Sequence, residues 1–177
     1  MKKSDKLNIG CGTDIKEGFV NLDKDKFPGV DVIQDLDKFP YDLKDNTFSE
    51  VHCHQVLEHV DDVFKTMNEI WRVCKNGAVV YIDVPHFSGL NAVTDPSHKH
   101  FFSSRSFNFF EKGKLGNYFD KISKVNFKVA ERRIEYSNNK LLKIFNPLVN
   151  LNQTFYERFF AYIFPSQVLY FKLIVKK

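Results

Sequence analysis

The sequence has few cysteines and no long apolar run. Only three of its 177 residues are cysteine (Cys11, Cys53 and Cys74), and they form no C-x-x-C motif. An odd number of cysteines in apolar settings predicts reduced thiols, and therefore a cytoplasmic protein. The first residues lack the apolar core of a signal peptide, and no apolar run approaches the roughly 18 residues of a membrane span. We therefore expect no transmembrane segment.

Clustered basic charge and internal repeats are also missing. Lysine and arginine number 26 against 22 acidic residues, and the two signs are interspersed, which gives a net charge of +4. Without a basic stripe, a nucleic-acid partner is not expected. The absence of repeats and low-complexity segments favours a single domain over residues 1–177. A chain of this length can bury roughly two thirds of its unfolded surface.

A glycine turn follows the first short apolar run, Leu7-Asn8-Ile9. The turn is Gly10-Cys11-Gly12, and a second apolar run soon after it ends at Asp23. Glycines let the backbone approach a ligand where a Cβ would collide, and a carboxylate at Asp23 could accept both hydroxyls of a ribose. A lone G-x-G is more often an ordinary bend, so the rest of the chain has to decide between the two interpretations.

Two further predicted strands end in polar residues. Residues 30–34 form a short apolar run that ends at Asp35-Leu36, and residues 51–54 alternate between apolar residues and histidines. Asp35 could accept the exocyclic amine of adenine, although a solvated turn aspartate is an equal alternative. The alternation places His52 and His54 on one face of a strand.

The strongest helix signal lies between these strands and the next one. Apolar residues at helical spacing predict a helix that begins near Asp61 and stops at Asn76-Gly77. The apolar run over residues 78–84 is typical of a central parallel strand covered on both faces. A strand near residues 125–129, an aromatic helix over residues 152–165 and a last strand over residues 168–175 follow.

This order of elements predicts an α/β fold. We expect a doubly wound, mostly parallel, Rossmann-like sheet with an antiparallel last strand and a shortened first crossover helix. In such sheets ligands bind at the carboxyl ends of the strands, and the glycine turn, Asp23, Asp35 and His54 all fall there. The agreement of these positions favours a nucleotide-type cofactor.

Several segments together resemble the small class I S-adenosylmethionine-dependent methyltransferases, and the resemblance covers about the whole chain. They are Leu-Asn-Ile-Gly-Cys-Gly (7–12), Gly-Phe-Val-Asn-Leu-Asp (18–23), Asp-Leu (35–36), Val-Leu-Glu-His-Val (56–60) and Glu-Ile-Trp-Arg-Val-Cys-Lys-Asn-Gly (69–77). The segment Asp-Pro-Ser-His-Lys-His-Phe-Phe-Ser (95–103) is similar to a branch often found with glycan and cell-surface biosynthesis.

The resemblance implies S-adenosylmethionine as the cofactor and assigns residues to it. Asp23 is expected to hold the ribose, and Asp35 with Leu36 the adenine. The remaining cofactor residues are the turn Gly10, Cys11 and Gly12 under the methionine part, and His54 and Gln55 at its amino-acid end or at the acceptor. Only 13 positions separate Gly10 from Asp23. A nicotinamide enzyme would need a helix N-terminus there for its pyrophosphate, which favours the methyltransferase.

Methyl transfer to a hydroxyl requires a base, and histidine titrates near neutral pH. The candidates are His86, His98 and His100, with Asp95 beside them, and His54 is the next choice. His98, His100 and Asp95 could instead hold a metal or make structural hydrogen bonds, although no metal is the first expectation. We expect Glu58 and His59 to satisfy the turn into the helix.

The aromatic residues suggest where an acceptor binds. We expect lid or acceptor elements at residues 86–118 and 140–165, in which phenylalanines such as Phe107 and Phe110 complete the core. A lipid-linked acceptor, peripheral membrane contact and a homodimer remain alternatives for the rest of the apolar surface. The acceptor is expected to be a small molecule or glycan hydroxyl. The rival functions are an inactive cofactor-binding module or partner subunit and, with less support, a nucleic-acid methyltransferase.

Overall fold

The computed structural model describes residues 4–115, 125–136 and 141–177. Seven strands form one sheet in the order β3-β2-β1-β4-β5-β7-β6. In chain order they are β1 (Lys6–Ile9), β2 (Val20–Asp23), β3 (Val32–Ile33), β4 (Phe48–His54), β5 (Cys74–Pro85), β6 (Asn126–Glu135) and β7 (Val168–Lys176). The first five strands pair in parallel, whereas β7 is antiparallel to both β5 and β6. The expected Rossmann-like sheet with an antiparallel last strand is confirmed.

The helices of the described residues are short. They are α1 (Val63–Val73), α2 (Leu90–Thr94), α3 (Asn146–Leu151) and α4 (Gln153–Phe159), with 3₁₀ turns at Ser106–Phe110 and Leu142–Phe145. Asp62 caps α1, because its side chain accepts a hydrogen bond from the N–H of Lys65. No described helix is long and apolar enough to cross a membrane.

The connection between β1 and β2 contains no helix. A shortened crossover helix was expected there. Two buried asparagines hold the connecting loop against the sheet instead. Asn8 and Asn21 are register partners on β1 and β2, and Asn8 Nδ2 donates both to Asn21 Oδ1 and to the carbonyl of Asp14. Asn21 Oδ1 also accepts the N–H of Lys16, while its amide donates back to the Lys16 carbonyl. These hydrogen bonds satisfy loop groups that a helix would satisfy internally.

The two faces of the sheet differ in polarity. On one face a row of buried apolar side chains crosses five strands (Leu22, Ile9, Cys53, Ile82 and Phe171). On the other face the corresponding row is polar (Asn21, Asn8, His52, Tyr81 and Lys172). The expectation that the central strand is covered on both faces is therefore wrong, because Val79 and Tyr81 of β5 are half-exposed.

Helix α1 ends earlier than the glycine signal suggested. Its last residue is Val73, and Cys74 already pairs with Phe48 as the first residue of β5. Glu50 pairs with Val79, so the intervening residues of β5 bulge out of register. Gly77, with φ of +80°, serves this bulge and does not end the helix.

The aromatic residues divide between core and surface. Phe107 and Phe110 are buried as expected. In the segment expected to be helical over residues 152–165, α4 ends at Phe159 and only Tyr156 of the helix is buried. The other aromatic side chains there are exposed (Phe155, Phe159, Phe160, Tyr162 and Phe164), so their expected burial is wrong. Residues 116–118 and 140 of the expected lids lie outside the described residues.

Candidate functional site

A cavity of about 340 Å³ opens at the carboxyl ends of β1, β2 and β4, close to the switch between the two halves of the sheet. This is the place where open α/β sheets bind their ligands. Its lining contains five of the eight residues that the resemblance assigned to the cofactor (Gly10, Asp23, Asp35, Leu36 and Gln55) and six others (Lys24, Asp37, Val56, His59, Val60 and Ser97).

The glycine turn is built for close backbone approach. Gly10 has φ of +62°, and a Cβ at this position would lie 2.4 Å from Cγ2 of Val56. Gly12 has φ of +49° and open space where a Cβ would be. Both conformations belong to the left-handed region that glycine adopts without strain. The turn therefore exposes backbone at the floor of the cavity.

Asp23 joins the turn to the end of β2. Its Oδ2 accepts the N–H of Gly12 at 2.7 Å, and its Oδ1 accepts the N–H of Asp25 at 3.0 Å. A carboxylate offers about four lone-pair sites, so each oxygen can still accept a further hydrogen bond. Asp23 is 9% exposed. Its fixed carboxylate suits the two hydroxyls of a ribose.

Asp35 and Leu36 form the far wall of the cavity. Hydrogen bonding from the N–H of Asp37, followed by the nearby Lys38, lowers the pKa of Asp35. The carboxylate is therefore ionised at neutral pH and able to accept a hydrogen bond. The hydroxyl of Tyr41 donates to the carbonyl of Leu36 at 3.0 Å and holds this wall in place.

The side chains of Gln55 and His54 line different cavities. Gln55 has φ of +52°, lines the cavity, and donates to Asp83 through both its N–H and its side-chain amide, each at 2.9 Å. His54 lies on the polar face of the sheet, hydrogen-bonded to His52 and Asp83. There it lines a second cavity of about 230 Å³ instead of the first.

Cys11 is 5% exposed and does not line the cavity. Burial, together with the charge of Asp23, raises the pKa of its thiol to about 11. Such a thiol is protonated and a poor nucleophile at neutral pH. All three cysteines are buried free thiols, as expected.

The loop over residues 95–100 closes one side of the cavity. The N–H groups of Lys99 and His100 both donate to the carbonyl of Glu58, at 2.7 and 3.3 Å. These bonds hold the loop whose Ser97 lines the cavity. Lys99 itself lies at the surface, where its Nζ contacts Asp61.

The catalytic candidates in this loop do not act as one cluster. His98 Nδ1 lies 3.1 Å from the carbonyl of Ala92, and His100 Nε2 lies 2.8 Å from the carbonyl of Val60. Asp95 accepts hydrogen bonds from the N–H and hydroxyl of Ser97, which identifies it as a turn residue of the loop. Metal binding by His98, His100 and Asp95 together has no support in this geometry.

His86 is fully buried below the end of β5. Its Nδ1 lies 2.8 Å from the hydroxyl of Ser88, and its Nε2 lies 3.4 Å from a carboxylate oxygen of Glu157 without hydrogen-bond geometry. Tyr156 packs against the same ring. His86 does not line the cavity of the glycine turn, so its position favours a role in packing.

Glu58 is the residue whose importance the sequence did not reveal. Its side chain is fully buried, and neither carboxylate oxygen has a hydrogen-bond partner in the described part of the chain. Burial, with a smaller effect of Asp83, raises the pKa of Glu58 to about 7. The expectation that this side chain satisfies the turn into α1 is therefore wrong. The sequence feature that could have indicated this position is the pair of neighbouring residues Glu58 and His59.

Comparison with known families gives a match to the first part of the chain. Residues 5–82 match a family described as a methyltransferase domain, which is somewhat less than half of the chain. The matched segment runs from β1 into β5 and includes the glycine turn, Asp23, Asp35 and Glu58. No curated protein matches the chain.

Solved structures share the fold over nearly the whole chain. A SAM-dependent methyltransferase from Archaeoglobus fulgidus is 16% identical, covers 96% of this chain and 85% of its own, and has a TM-score of 0.57. An S-adenosylmethionine-dependent methyltransferase from Mesorhizobium loti is 12% identical, with coverages of 96% and 89% and a TM-score of 0.55. The [4+2]-cyclase SpnF is 14% identical, with coverages of 97% and 74% and a TM-score of 0.58.

The chain thus has the fold of S-adenosylmethionine-dependent methyltransferases and a methyltransferase domain match at its cofactor end. The cofactor that these comparisons indicate is S-adenosylmethionine. The lining fits that molecule chemically, since Gly10 brings backbone without a Cβ to the cavity and the carboxylates of Asp23 and Asp35 can accept hydrogen bonds from hydroxyls and an amine.

Proposed function

We propose that the protein transfers a methyl group from S-adenosylmethionine to a hydroxyl of a small molecule or glycan. The observation that carries this proposal is the hydrogen bond between the Gly12 N–H and Asp23, which joins the glycine turn to a carboxylate that lines the cavity. No helix follows the turn in the described residues. A pyrophosphate would lack its usual helix N-terminus there, which supports a cofactor without phosphate.

Most of the proposed roles belong to residues that line the cavity. Gly10, Cys11 and Gly12 present backbone to the methionine part, Asp23 accepts the ribose hydroxyls, and Asp35 with Leu36 contacts the adenine. Gln55 reaches the amino-acid end from the tip of β4. When bound, S-adenosylmethionine supplies an activated methyl group on a sulfonium. The protein's task is then to align the acceptor and to receive its proton.

For proton removal, the 95–100 loop stays the best-placed element. His98 and the neighbouring His59 lie at the edge of the cavity, where His59 forms part of the lining. His100 is held by the carbonyl of Val60, and His86 is buried elsewhere. We therefore place His98 first among the candidates.

The acceptor is proposed to carry an apolar part. A separate cavity of about 710 Å³ lies between α3, α4 and the end of β6, and its walls are mainly apolar. Phe155 and Phe160 line it while being 53% and 40% exposed. A lipid-linked glycan would bring both a hydroxyl and an apolar chain, and its use would place the protein at the cytoplasmic side of a membrane.

A specific observation keeps a second function open. The [4+2]-cyclase has the same fold, so the fold alone does not make a chain a transferase. An inactive cofactor-binding module would share the cavity described here.

The two functions can be distinguished by one product, because only the methyltransferase releases S-adenosylhomocysteine. Purified protein should be incubated with S-adenosylmethionine and a panel of free and lipid-linked sugars, and S-adenosylhomocysteine release should be measured. We expect release that depends on the acceptor, with a lower KM for a lipid-linked sugar. A Phe155→Ser variant should raise that KM and leave the KM for the free sugar unchanged. Tight cofactor binding without release on any acceptor would favour the inactive module.

A further inference from the structure

Two imidazoles lie beside the buried carboxylate of Glu58. One oxygen of Glu58 and one ring nitrogen each from His59 and His98 all lie within 4.8 Å of one another. One carboxylate and two imidazoles form a donor set that binds divalent first-row metals such as zinc. We propose that Glu58, His59 and His98 bind a divalent transition-metal ion at the edge of the cofactor cavity.

The environment of Glu58 supports the binding of a cation. Its side chain is 0% exposed, and both oxygens lack a hydrogen-bond partner among the described residues. Buried polar atoms nearly always have a partner, and buried charges are paired or bind metals. His59 and His98 are the imidazoles beside this carboxylate, and a shared metal ion would satisfy all three side chains at once.

The hydrogen bonds of His98 leave a nitrogen free for the metal. Its Nδ1 lies 3.1 Å from the carbonyl oxygen of Ala92, which can only accept. The proton is therefore on Nδ1, and the lone pair of Nε2 is available. Metal-binding histidines almost always donate their other ring N–H to a carbonyl, a carboxylate or water.

His59 is oriented in the same way through Ser97. The hydroxyl of Ser97 donates to Oδ1 of Asp95 at 2.7 Å, so it accepts from Nδ1 of His59 at 2.9 Å. This leaves Nε2 of His59 with its lone pair. Asp95 and Ser97 thus support the site by fixing the orientation of His59, whereas the sequence had suggested Asp95 as a ligand or catalytic group.

The backbone holds the three side chains together. Glu58 and His59 lie between β4 and α1, and the loop that carries His98 is fixed to them by two hydrogen bonds to the carbonyl of Glu58. His59 and Ser97 line the cofactor cavity, which provides an entry path. Three protein ligands leave a coordination position for water or for an acceptor oxygen. The role toward an acceptor rests on the proposed methyl transfer, whereas metal binding itself does not. An ion on Nε2 of His98 takes the lone pair that the proposed base needs, so His98 can act as the base only in the metal-free protein.

The test uses the full chain without an affinity tag. Zn²⁺ binding is measured by calorimetry and Co²⁺ binding by visible absorption, both without S-adenosylmethionine. We expect one ion per chain. His98→Ala and Glu58→Gln should weaken binding by more than about 100-fold. Ser97→Ala should weaken it by about 10–100-fold, as loss of a supporting hydrogen bond does.

His52→Ala is the matched control, because His52 belongs to another histidine pair on the polar face of the sheet. This variant should bind metal like the wild type. Absence of binding in the wild type, or equal binding in His98→Ala, would overturn the proposal. If Glu58→Gln fails to fold, the metal affinity of the loop variant His98→Ala is sufficient to test the proposal. A separate titration with S-adenosylhomocysteine shows whether the cofactor site is intact, so failure of the metal site and failure of the proposed function are distinguishable.

Discussion

The main-chain N–H of Gly12 donates a hydrogen bond of 2.7 Å to Oδ2 of Asp23, which fixes the glycine turn after β1 to the end of β2. With no helix in the first crossover, this bond and the Asn8–Asn21 pair hold the turn in place. The carboxylate keeps lone pairs for a ligand. A short connection therefore brings Gly10 and Asp23, the carboxylate proposed to accept the ribose hydroxyls, to one cavity.

The two glycines of the turn should respond differently to alanine. Both have positive φ, so each Gly→Ala change should cost about 1–2 kcal/mol of unfolding free energy. Gly10→Ala adds a contact of 2.4 Å with Val56, whereas Gly12→Ala meets no atom within 4 Å. Urea unfolding should therefore show a larger loss for Gly10→Ala. The double variant Gly10→Ala/Val56→Ala should recover part of the additional loss of unfolding free energy. Equal losses for the two single variants would contradict the close contact between a Cβ at position 10 and Val56.

Cys11→Ala should keep most of the activity. The thiol is buried and its pKa is raised to about 11, so it is protonated at neutral pH and contributes no nucleophile. Turnover and cofactor affinity are to be measured in parallel. Loss of turnover with cofactor still bound would require chemistry by the thiol.

The histidines should separate into two groups. A general base contributes about 10²–10⁴-fold, so His98→Ala should slow turnover by that factor while cofactor affinity stays unchanged. His86→Ala should lower the thermal unfolding temperature, because His86 is fully buried against Glu157 and Tyr156. A chelator control shows whether loss of a metal explains the effect of His98→Ala. A large turnover defect in a fully stable His86→Ala variant would reverse the assignment.

Glu157 should make stability depend on acidic pH. Burial alone would raise its pKa, but the nearby imidazole of His86 and the hydrogen bonds from Ser104 outweigh it and hold the pKa below the usual 4.5. A carboxylate with a lowered folded-state pKa stabilises the fold above its unfolded-state pKa, and that stabilisation is lost as the pH falls through the folded-state value. The difference in unfolding free energy between wild type and Glu157→Gln should therefore shrink between about pH 5 and pH 3. Urea unfolding at several pH values checks this, and a constant difference would contradict it.

Local patterns predicted the strands and the glycine turn, because apolar runs and glycine positions are properties of neighbouring residues. The end of α1 was not predictable in this way, since pairing of Cys74 with Phe48 begins β5 before Gly77 is reached. The sequence also did not predict that Glu58, His59 and His98 lie close together. Glu58 and His98 are 40 positions apart, and two main-chain hydrogen bonds bring them together.

The aromatic residues show a further limit. Phenylalanines of the segments 86–118 and 140–165 were expected to complete the core, but composition does not say which side chains face solvent. Phe107 is buried, whereas Phe155 and Phe159 are exposed on α4. Only the packed structure separates the two groups.

Calorimetric titration with S-adenosylhomocysteine tests the cofactor cavity most directly. Asp23→Ala removes a fixed acceptor of the ribose hydroxyls and should cost about 1.5–3 kcal/mol, or roughly a 10- to 150-fold weaker affinity. Asp25→Ala, which removes an exposed acid from the same turn, is the matched control and should bind like the wild type. The wild type should bind S-adenosylhomocysteine and not NAD. Equal affinity in the wild type and Asp23→Ala, or no binding by the wild type, would contradict the assignment of this cavity to the cofactor.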